Sequence, residues 1–169
     1  KVTSDFNSKV VDDVIGVETG GSIKNAIAVV SGVATGYGLG ENARAALISR
    51  SIIEIVSIVV ALGGKKETAY GLSGIGDLIV TCASVHSRNR KAGVLMGQGK
   101  TMDEAMKEVK MVVEGVYSAK AAMLLSKKYN VSMPIIEQVN LILFENKPAD
   151  EAVKDLMFRD KRVENSVVK

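Results

Sequence analysis

The sequence predicts an all-α domain, and three observations lead to that prediction. The 169-residue chain is 47% hydrophobic, which is enough for a sizeable buried core. After one short β-branched segment near the start, apolar residues recur at helical spacing along the rest of the chain. Helix caps and glycine or proline stops separate these stretches, with no internal repeat or low-complexity linker. Because helices with one apolar stripe bury it against each other, a multi-helix domain follows.

Local signals define the predicted elements of the first half. Residues 10–17 read VVDDVIGV and are followed by a glycine pair, which is typical of a short strand. The small, apolar stretch 22–34 is predicted as the first helix. Asn42 is placed as the N-cap of a second helix, which ends at the glycine pair 63–64.

The second half reads as shorter helices with clear end signals. Thr101 and Glu104 fit a capping box, in which the hydroxyl and the carboxylate each satisfy a free amide at the helix start. Pro134 suits the first position of a helix. A run of undecided type covers 77–81. The other predicted helical stretches are 67–70, 91–96, 115–128, 135–145 and a last one from Pro148 to about Arg159, before a polar tail.

Composition restricts the class of function. Lysine and arginine number 22 against 19 acidic residues, and a net charge of +3 is too small to indicate a nucleic-acid partner. The single cysteine, Cys82, cannot form an intrachain disulfide and no metal-ligand spacing occurs, so we expect a cytoplasmic protein without a metal site. Segment 43–62 is long enough to cross a bilayer, but Arg44, Arg50 and Glu54 interrupt it. It is therefore predicted as a buried core helix and not a membrane span.

Two residues stand out as candidates for chemistry, each with a structural alternative. Lys24 lies among small and apolar residues in GGSIKNAIAVVSG. A lysine partly removed from water can act as an acid or a base, although a surface lysine with its amine in solvent is the more common outcome. Asp77 ends the glycine-rich stretch GLSGIGD, which permits close backbone approach. It could hold a ligand hydroxyl, but capping a helix is the more common use.

The basic stretch HSRNRK, residues 86–91, forms a candidate anion site. Arg88 offers a planar fork of donors that suits phosphate, and Ser87 and Asn89 add neutral donors. The start of the next helix adds free amides and a positive dipole end. A solvated basic loop is an equally common outcome, whereas a nucleic-acid patch would need interleaved aromatic residues. The glycine-rich stretches do not match the G-x-G-x-x-G dinucleotide fingerprint.

Longer segments spread over nearly the whole chain carry a family resemblance. In chain order they are DVIGVETGGSIKN, GLGENARAALISR, ALGG, GLSGIGDLIVTC, SRNRKAG, GQGK and VVEGV. In this order and spacing they resemble the C-terminal domain of NAD(P)-dependent glycerol-3-phosphate dehydrogenases. The resemblance implies a helical substrate-binding domain of the 6-phosphogluconate-dehydrogenase-like type at 18–169. It also identifies 1–17 as a linker or remnant, with a final strand, of a missing NAD-binding Rossmann domain.

The resemblance also implies roles for substrate-binding residues. Lys24 matches the lysine that donates or accepts the proton at the substrate's C2 oxygen, and it counts as both catalytic and substrate-binding. Asp77 matches a substrate-binding aspartate. Ser87, Arg88 and Asn89 match the residues that hold the substrate, chiefly at its phosphate end.

A smaller set is implied to contact the NAD or NADP cofactor. Arg88 matches a cofactor contact as well as a substrate contact. Val112 and Glu114, in VVEG, match the small contribution of the helical domain to the cofactor site. Asn25 and Asn42 lie within the family's signature segments, but the resemblance assigns them no firm role.

The activity that the resemblance implies is the interconversion of dihydroxyacetone phosphate and sn-glycerol 3-phosphate, a step that supplies phospholipid precursors. We expect this chain alone to be inactive, since its own Rossmann domain would hold most of the cofactor. An apolar interdomain face, left uncovered, would favour a homodimer or aggregation. Two alternatives stay open: the helical domain of a dehydrogenase for another hydroxy acid or hydroxy phosphate, and a non-enzymatic helical oligomerisation module.

Overall fold

The computed structural model describes residues 12–157, and within that range the chain forms α-helices, one π-helical turn and no strand. The elements are α1 (Val14–Gly36), α2 (Glu41–Ala61), α3 (Lys66–Tyr70), the π-helical turn (Leu72–Gly76), α4 (Asp77–Ala83), α5 (Arg88–Gly97), α6 (Met102–Val109), α7 (Glu114–Tyr129), α8 (Pro134–Glu145) and α9 (Ala149–Met157). The all-α prediction is confirmed. The predicted polar tail, together with Arg159, lies outside the described residues.

α1 is the central helix of the domain. It packs against α2, α4, α5, α7 and α8. Every residue from Ala26 to Ala34 is buried, including the polar Ser31. A helix that is apolar on all sides is enclosed on all sides, so the second half of α1 forms the axis of the core.

The strand predicted over 10–17 is wrong for the part that the structure describes, because its second half is the first turn of α1. Asp13 is the N-cap, and its carboxylate accepts hydrogen bonds from the amides of Gly16 (2.9 Å) and Lys65 (2.7 Å). These bonds hold the pKa of Asp13 below its usual range. A helix cap that is also tied to a distant loop outweighs the strand preference of the valines. Residues 1–11, most of the predicted domain remnant, lie outside the described residues.

Other helix ends follow the local signals closely. In the capping box, the amide of Thr101 donates to Glu104 (2.9 Å) and the amide of Glu104 donates back to the Thr101 hydroxyl (3.3 Å). Pro134 is the first residue of α8, as predicted. The sequence predicts Asn42 as the N-cap of α2, but the helix already begins at Glu41 and Gly40 is its N-cap.

The apolar segment 43–62 lies within α2 and its C-cap, and the second half of that helix supplies its core residues. The first turns of α2 are largely exposed. Among the described helices, none has the length and apolarity that crossing a bilayer requires.

A buried carboxylate joins α2 to the start of α8. Glu54 is only 5% exposed, and its two oxygens accept from the amides of Ile135 (2.7 Å) and Ile136 (3.2 Å). The start of α8 has no side-chain cap of its own, so Glu54 satisfies amides that would otherwise be unpaired. The positive end of the α8 dipole in turn stabilises the buried charge.

Replacing Glu54 with alanine should therefore destabilise the domain by about 2–5 kcal/mol, because two buried amides lose their acceptor. Glu54→Gln keeps one acceptor oxygen, so its unfolding free energy should fall by less. Urea unfolding followed by circular dichroism measures both variants. The exposed Glu18 of α1 provides the control, and Glu18→Ala should stay within about 0.5 kcal/mol. Equal losses in Glu54→Ala and Glu18→Ala would contradict the capping role.

Candidate functional site

The close packing of α1 against α5 positions much of the candidate site. The two helices run in the same direction, with facing residues at a constant offset: Asn25 and Asn89, Val29 and Gly93, Val33 and Gly97. A Cβ atom on Gly93 would lie 1.9 Å from the carbonyl oxygen of Val29, so only glycine permits this approach. The register that results sets Asn89 opposite Asn25.

Lys24 of α1 and Asp77 of α4 form an ion pair across the domain. The Lys24 side chain is 19% exposed and that of Asp77 is 42% exposed, so most of the Lys24 side chain is buried and its amine pairs with a half-exposed carboxylate. Asp77 is not the N-cap of α4, since Gly76 is; Asp77 is the first residue of α4 and the C-cap of the π-helical turn. The Thr81 hydroxyl donates to the Asp77 carbonyl oxygen (2.7 Å) and approaches its carboxylate (3.4 Å).

The glycine-rich stretch before Asp77 brings that carboxylate to α1. Residues Leu72–Gly76 form the π-helical turn, which leads directly into α4. A Cβ atom on Gly74 would lie 1.9 Å from the carbonyl oxygen of Ala69. The predicted close backbone approach is therefore found, and it occurs against the preceding helix α3.

Asn89 and Asn25 form a chain of hydrogen bonds from α5 through α1 to α7. Asn89 is 7% exposed; its amide nitrogen donates to Asn25 Oδ1 (3.0 Å), and its own oxygen accepts from the Gly115 amide (2.9 Å). The start of α7 has no side-chain cap of its own, so Asn89 caps it from another helix. The sequence assigns Asn25 no firm role, and its signals there are its place next to Lys24 and within a family signature segment.

Arg88 and Glu114 meet at the exposed edge of this network. Arg88 Nη2 lies 3.4 Å from Glu114 Oε1, with the side chains 40% and 55% exposed. The other carboxylate oxygen of Glu114 accepts from the Asn25 amide nitrogen at 3.3 Å. Glu114 therefore contacts residues of α5 and α1 at once, from the first position of α7.

The remaining predicted site residues flank this edge. Ser87 is the N-cap of α5, and its hydroxyl oxygen accepts from the Arg90 amide (3.3 Å). Val112 lies in the loop before α7, two residues ahead of Glu114 in the sequence, and is 61% exposed. The structure thus joins Lys24 to Asp77 directly, and it brings Arg88, Asn89 and Glu114 together through Asn25.

These six residues, called the cluster below, carry groups that can bind an anion and transfer a proton, and they lie on an open face. They are Lys24, Asn25, Asp77, Arg88, Asn89 and Glu114. The two cations of the cluster lie at helix starts, where the helix dipoles favour negative charge: the Lys24 amine at the start of α4, and the Arg88 guanidinium at the starts of α5 and α7. Cavities of about 280 Å³ and 180 Å³ in the described part of the chain lie elsewhere, around α6 and α8, and the predicted site residues line neither of them. Enclosing a ligand at the cluster therefore requires a second surface.

Comparison with protein families gives one match that covers most of the chain. Residues 13–154 match the family described as the C-terminus of NAD-dependent glycerol-3-phosphate dehydrogenase. The matched range includes every predicted site residue.

Individual relatives agree with the family match. The chain is 65% identical over 152 residues to a glycerol-3-phosphate dehydrogenase [NAD(P)+] of Fusobacterium nucleatum, covering 90% of this chain and 45% of that protein. It is 64% identical to the protein of that name from Agathobacter rectalis, covering 91% of this chain and 46% of the relative. The chain therefore spans about half the length of the curated relatives it matches.

Solved structures give the same result. A glycerol-3-phosphate dehydrogenase from Coxiella burnetii superimposes with a TM-score of 0.86 at 42% identity, covering 88% of this chain and 46% of that one. The enzyme from Saccharomyces cerevisiae gives a TM-score of 0.79 at 30% identity, covering 89% and 44%.

Gly93→Ala should disturb the α1–α5 contact, because the added methyl group collides with backbone and no side chain can move aside. We expect a loss of about 1–3 kcal/mol in unfolding free energy, typical of overpacking. The amide resonance of Gly115, which depends on Asn89, should shift in the same variant. Gly21→Ala on α1 is the matched control: its Cβ would meet nothing within 4 Å, so stability should stay the same or rise. Equal behaviour of the two variants would contradict the close packing.

Proposed function

The chain belongs to the family of NAD-dependent glycerol-3-phosphate dehydrogenase C-terminal domains, and we propose that the whole protein interconverts dihydroxyacetone phosphate and sn-glycerol 3-phosphate. The observation that carries the proposal is the pairing of Lys24 with Asp77, one residue along α1 from Asn25, which bonds Asn89. The residue after Lys24 in the sequence thus connects α1 to the residues that we propose for the phosphate.

Lys24 is the proposed proton donor. When bound, the nicotinamide cofactor supplies the hydride that reduces C2 of the ketone. Negative charge develops on the C2 oxygen, and the Lys24 ammonium stabilises it and transfers a proton to it. Asp77 accepts a hydrogen bond from the Lys24 amine and so fixes its direction. In the reverse reaction the neutral amine takes the proton from the C2 hydroxyl.

Arg88 and Asn89 are the proposed groups for the phosphate end. Arg88 can donate two parallel hydrogen bonds to phosphate oxygens. The Asn89 amide nitrogen donates one hydrogen to Asn25 and has a second available for a ligand. Ser87, as the cap of α5, holds the start of this helix beside them.

The residues at the Glu114 edge fit a minor share of a dinucleotide site. The Glu114 carboxylate can accept hydrogen bonds from amide or hydroxyl groups, and exposed Val112 offers an apolar contact for a flat ring. No glycine-rich dinucleotide fingerprint occurs in the sequence. We therefore assign Arg88, Val112 and Glu114 to the edge of an NAD or NADP site whose main part belongs to a Rossmann domain of the whole protein.

Exposed apolar side chains next to Asp77 support this two-domain arrangement. Leu72, Val80 and Val85 are 80%, 64% and 70% exposed. Exposed apolar side chains within one short segment indicate a contact surface, and we propose that the Rossmann domain covers it and closes the open face.

We expect the whole protein to act in the cytoplasm, where its product would supply phospholipid synthesis. A homodimer stays a prediction.

Replacing Lys24 tests the proposed chemistry. In the whole protein, Lys24→Ala should lower kcat for dihydroxyacetone phosphate by at least about a hundredfold, the lower range for a lost acid or base. Steady-state assays of cofactor oxidation measure this change. Near-normal turnover would eliminate Lys24 as the proton donor.

Arg88→Ala should act differently, since it removes a binding group and not the proton donor. We expect a higher KM for the phosphorylated substrate and a smaller change in kcat. The same assays, repeated with unphosphorylated dihydroxyacetone, provide the comparison: Arg88→Ala should change kcat/KM for that substrate little. An unchanged KM for the phosphorylated substrate would count against the phosphate assignment.

A further inference from the structure

Both cations of the candidate site have a carboxylate partner from another helix. Lys24 pairs with Asp77, and Arg88 pairs with Glu114. Within these two pairs the charges cancel, although the proposed substrate carries a doubly charged phosphate. A phosphate that binds Arg88 must therefore compete with a carboxylate already beside it.

The geometry of Glu114 suits such a competitor. Its carboxylate has two partners: one oxygen lies 3.4 Å from Arg88, and the other accepts from Asn25 at 3.3 Å. The backbone of Glu114 is fixed as the first residue of α7. The contact with Asn25 and the helix start do not involve Arg88 at all. The guanidinium can thus leave while Glu114 stays in place.

The Arg88–Glu114 contact is also weak enough to open. The two side chains are 40% and 55% exposed, and the single contact is longer than a good charge-assisted hydrogen bond. Exposed pairs of this kind contribute at most about 1 kcal/mol. The phosphate, with two negative charges and a bidentate fit to arginine, is the stronger ligand.

We propose that Glu114 occupies the place of the substrate phosphate at Arg88 and weakens anion binding there, so that Arg88 exchanges one negative partner for another when substrate binds. This inference rests on the proposed function for the assignment of Arg88 to phosphate. It gives Glu114 a role separate from a cofactor contact: it tunes phosphate affinity and orients Arg88 before the substrate arrives.

The test measures binding of inorganic phosphate to the whole protein without cofactor, by calorimetry at low ionic strength, where exposed charges are least screened. Glu114→Gln keeps the shape and the acceptor for Asn25 but removes the charge. We expect its dissociation constant for phosphate to fall by about two- to five-fold, the range that a pair worth up to about 1 kcal/mol allows. The control is Glu108→Gln, which breaks the similarly exposed pair with Lys100 and should change nothing.

A double-mutant cycle separates this effect from general electrostatics. In an Arg88→Gln background, Glu114→Gln should bring no gain in phosphate affinity. A gain that persists there, an unchanged or weaker affinity in folded Glu114→Gln, or no phosphate binding by any variant would each overturn the proposal. Thermal unfolding establishes folding, and if Glu114→Gln fails to fold, Glu114→Asp, with a shorter reach to Arg88, should show the tightening instead. Turnover of Lys24→Ala tests the proposed function independently of these results.

Discussion

The close approach of α1 and α5 is the constraint on which the rest of the candidate site depends. Helices this close need glycine where the backbones meet, and Gly93 of α5 lies against the carbonyl oxygen of Val29. The contact fixes both the distance between the helices and their register. Asn89 therefore reaches Asn25, and through it the start of α7. An error of one residue in this register would turn Asn89 away from both partners.

In two places of the domain, a helix start is capped by a residue of another helix. Asn89 of α5 satisfies the start of α7, and Glu54 of α2 satisfies the start of α8. Each bond joins helices that are far apart in sequence. Polar groups in the interior therefore hold the helices in one arrangement, whereas apolar packing alone tolerates many.

Local caps can be predicted from the sequence, whereas caps supplied by distant residues cannot. The capping box at Thr101 and the proline at the start of α8 are local signals, and both were predicted correctly. The strand predicted over 10–17 was wrong from residue 12 onward, where the structure describes it, because Asp13 caps α1 and also binds the Lys65 amide of a distant loop. Asp77 looked like a cap because nothing in its neighbourhood indicates Lys24. The site roles came from a family resemblance. The hydrogen bonds by which Asn25 joins Asn89 to Glu114 are visible only in the structure.

The same residues serve the fold and the candidate site, which affects how any substitution is to be understood. Asn89 caps α7 and is also proposed to donate an N–H to a ligand, and Ser87 caps α5 at the proposed phosphate position. Removing either changes stability and binding together, so a loss of activity would not by itself identify a ligand contact. Lys24 differs, since the carboxylate of its partner Asp77 bonds the side chains of Lys24 and Thr81 and not the amides of a helix start. A catalytic role can therefore be separated from a structural one most cleanly at Lys24, and least cleanly at Asn89, where the hydrogen bonds of three helices meet.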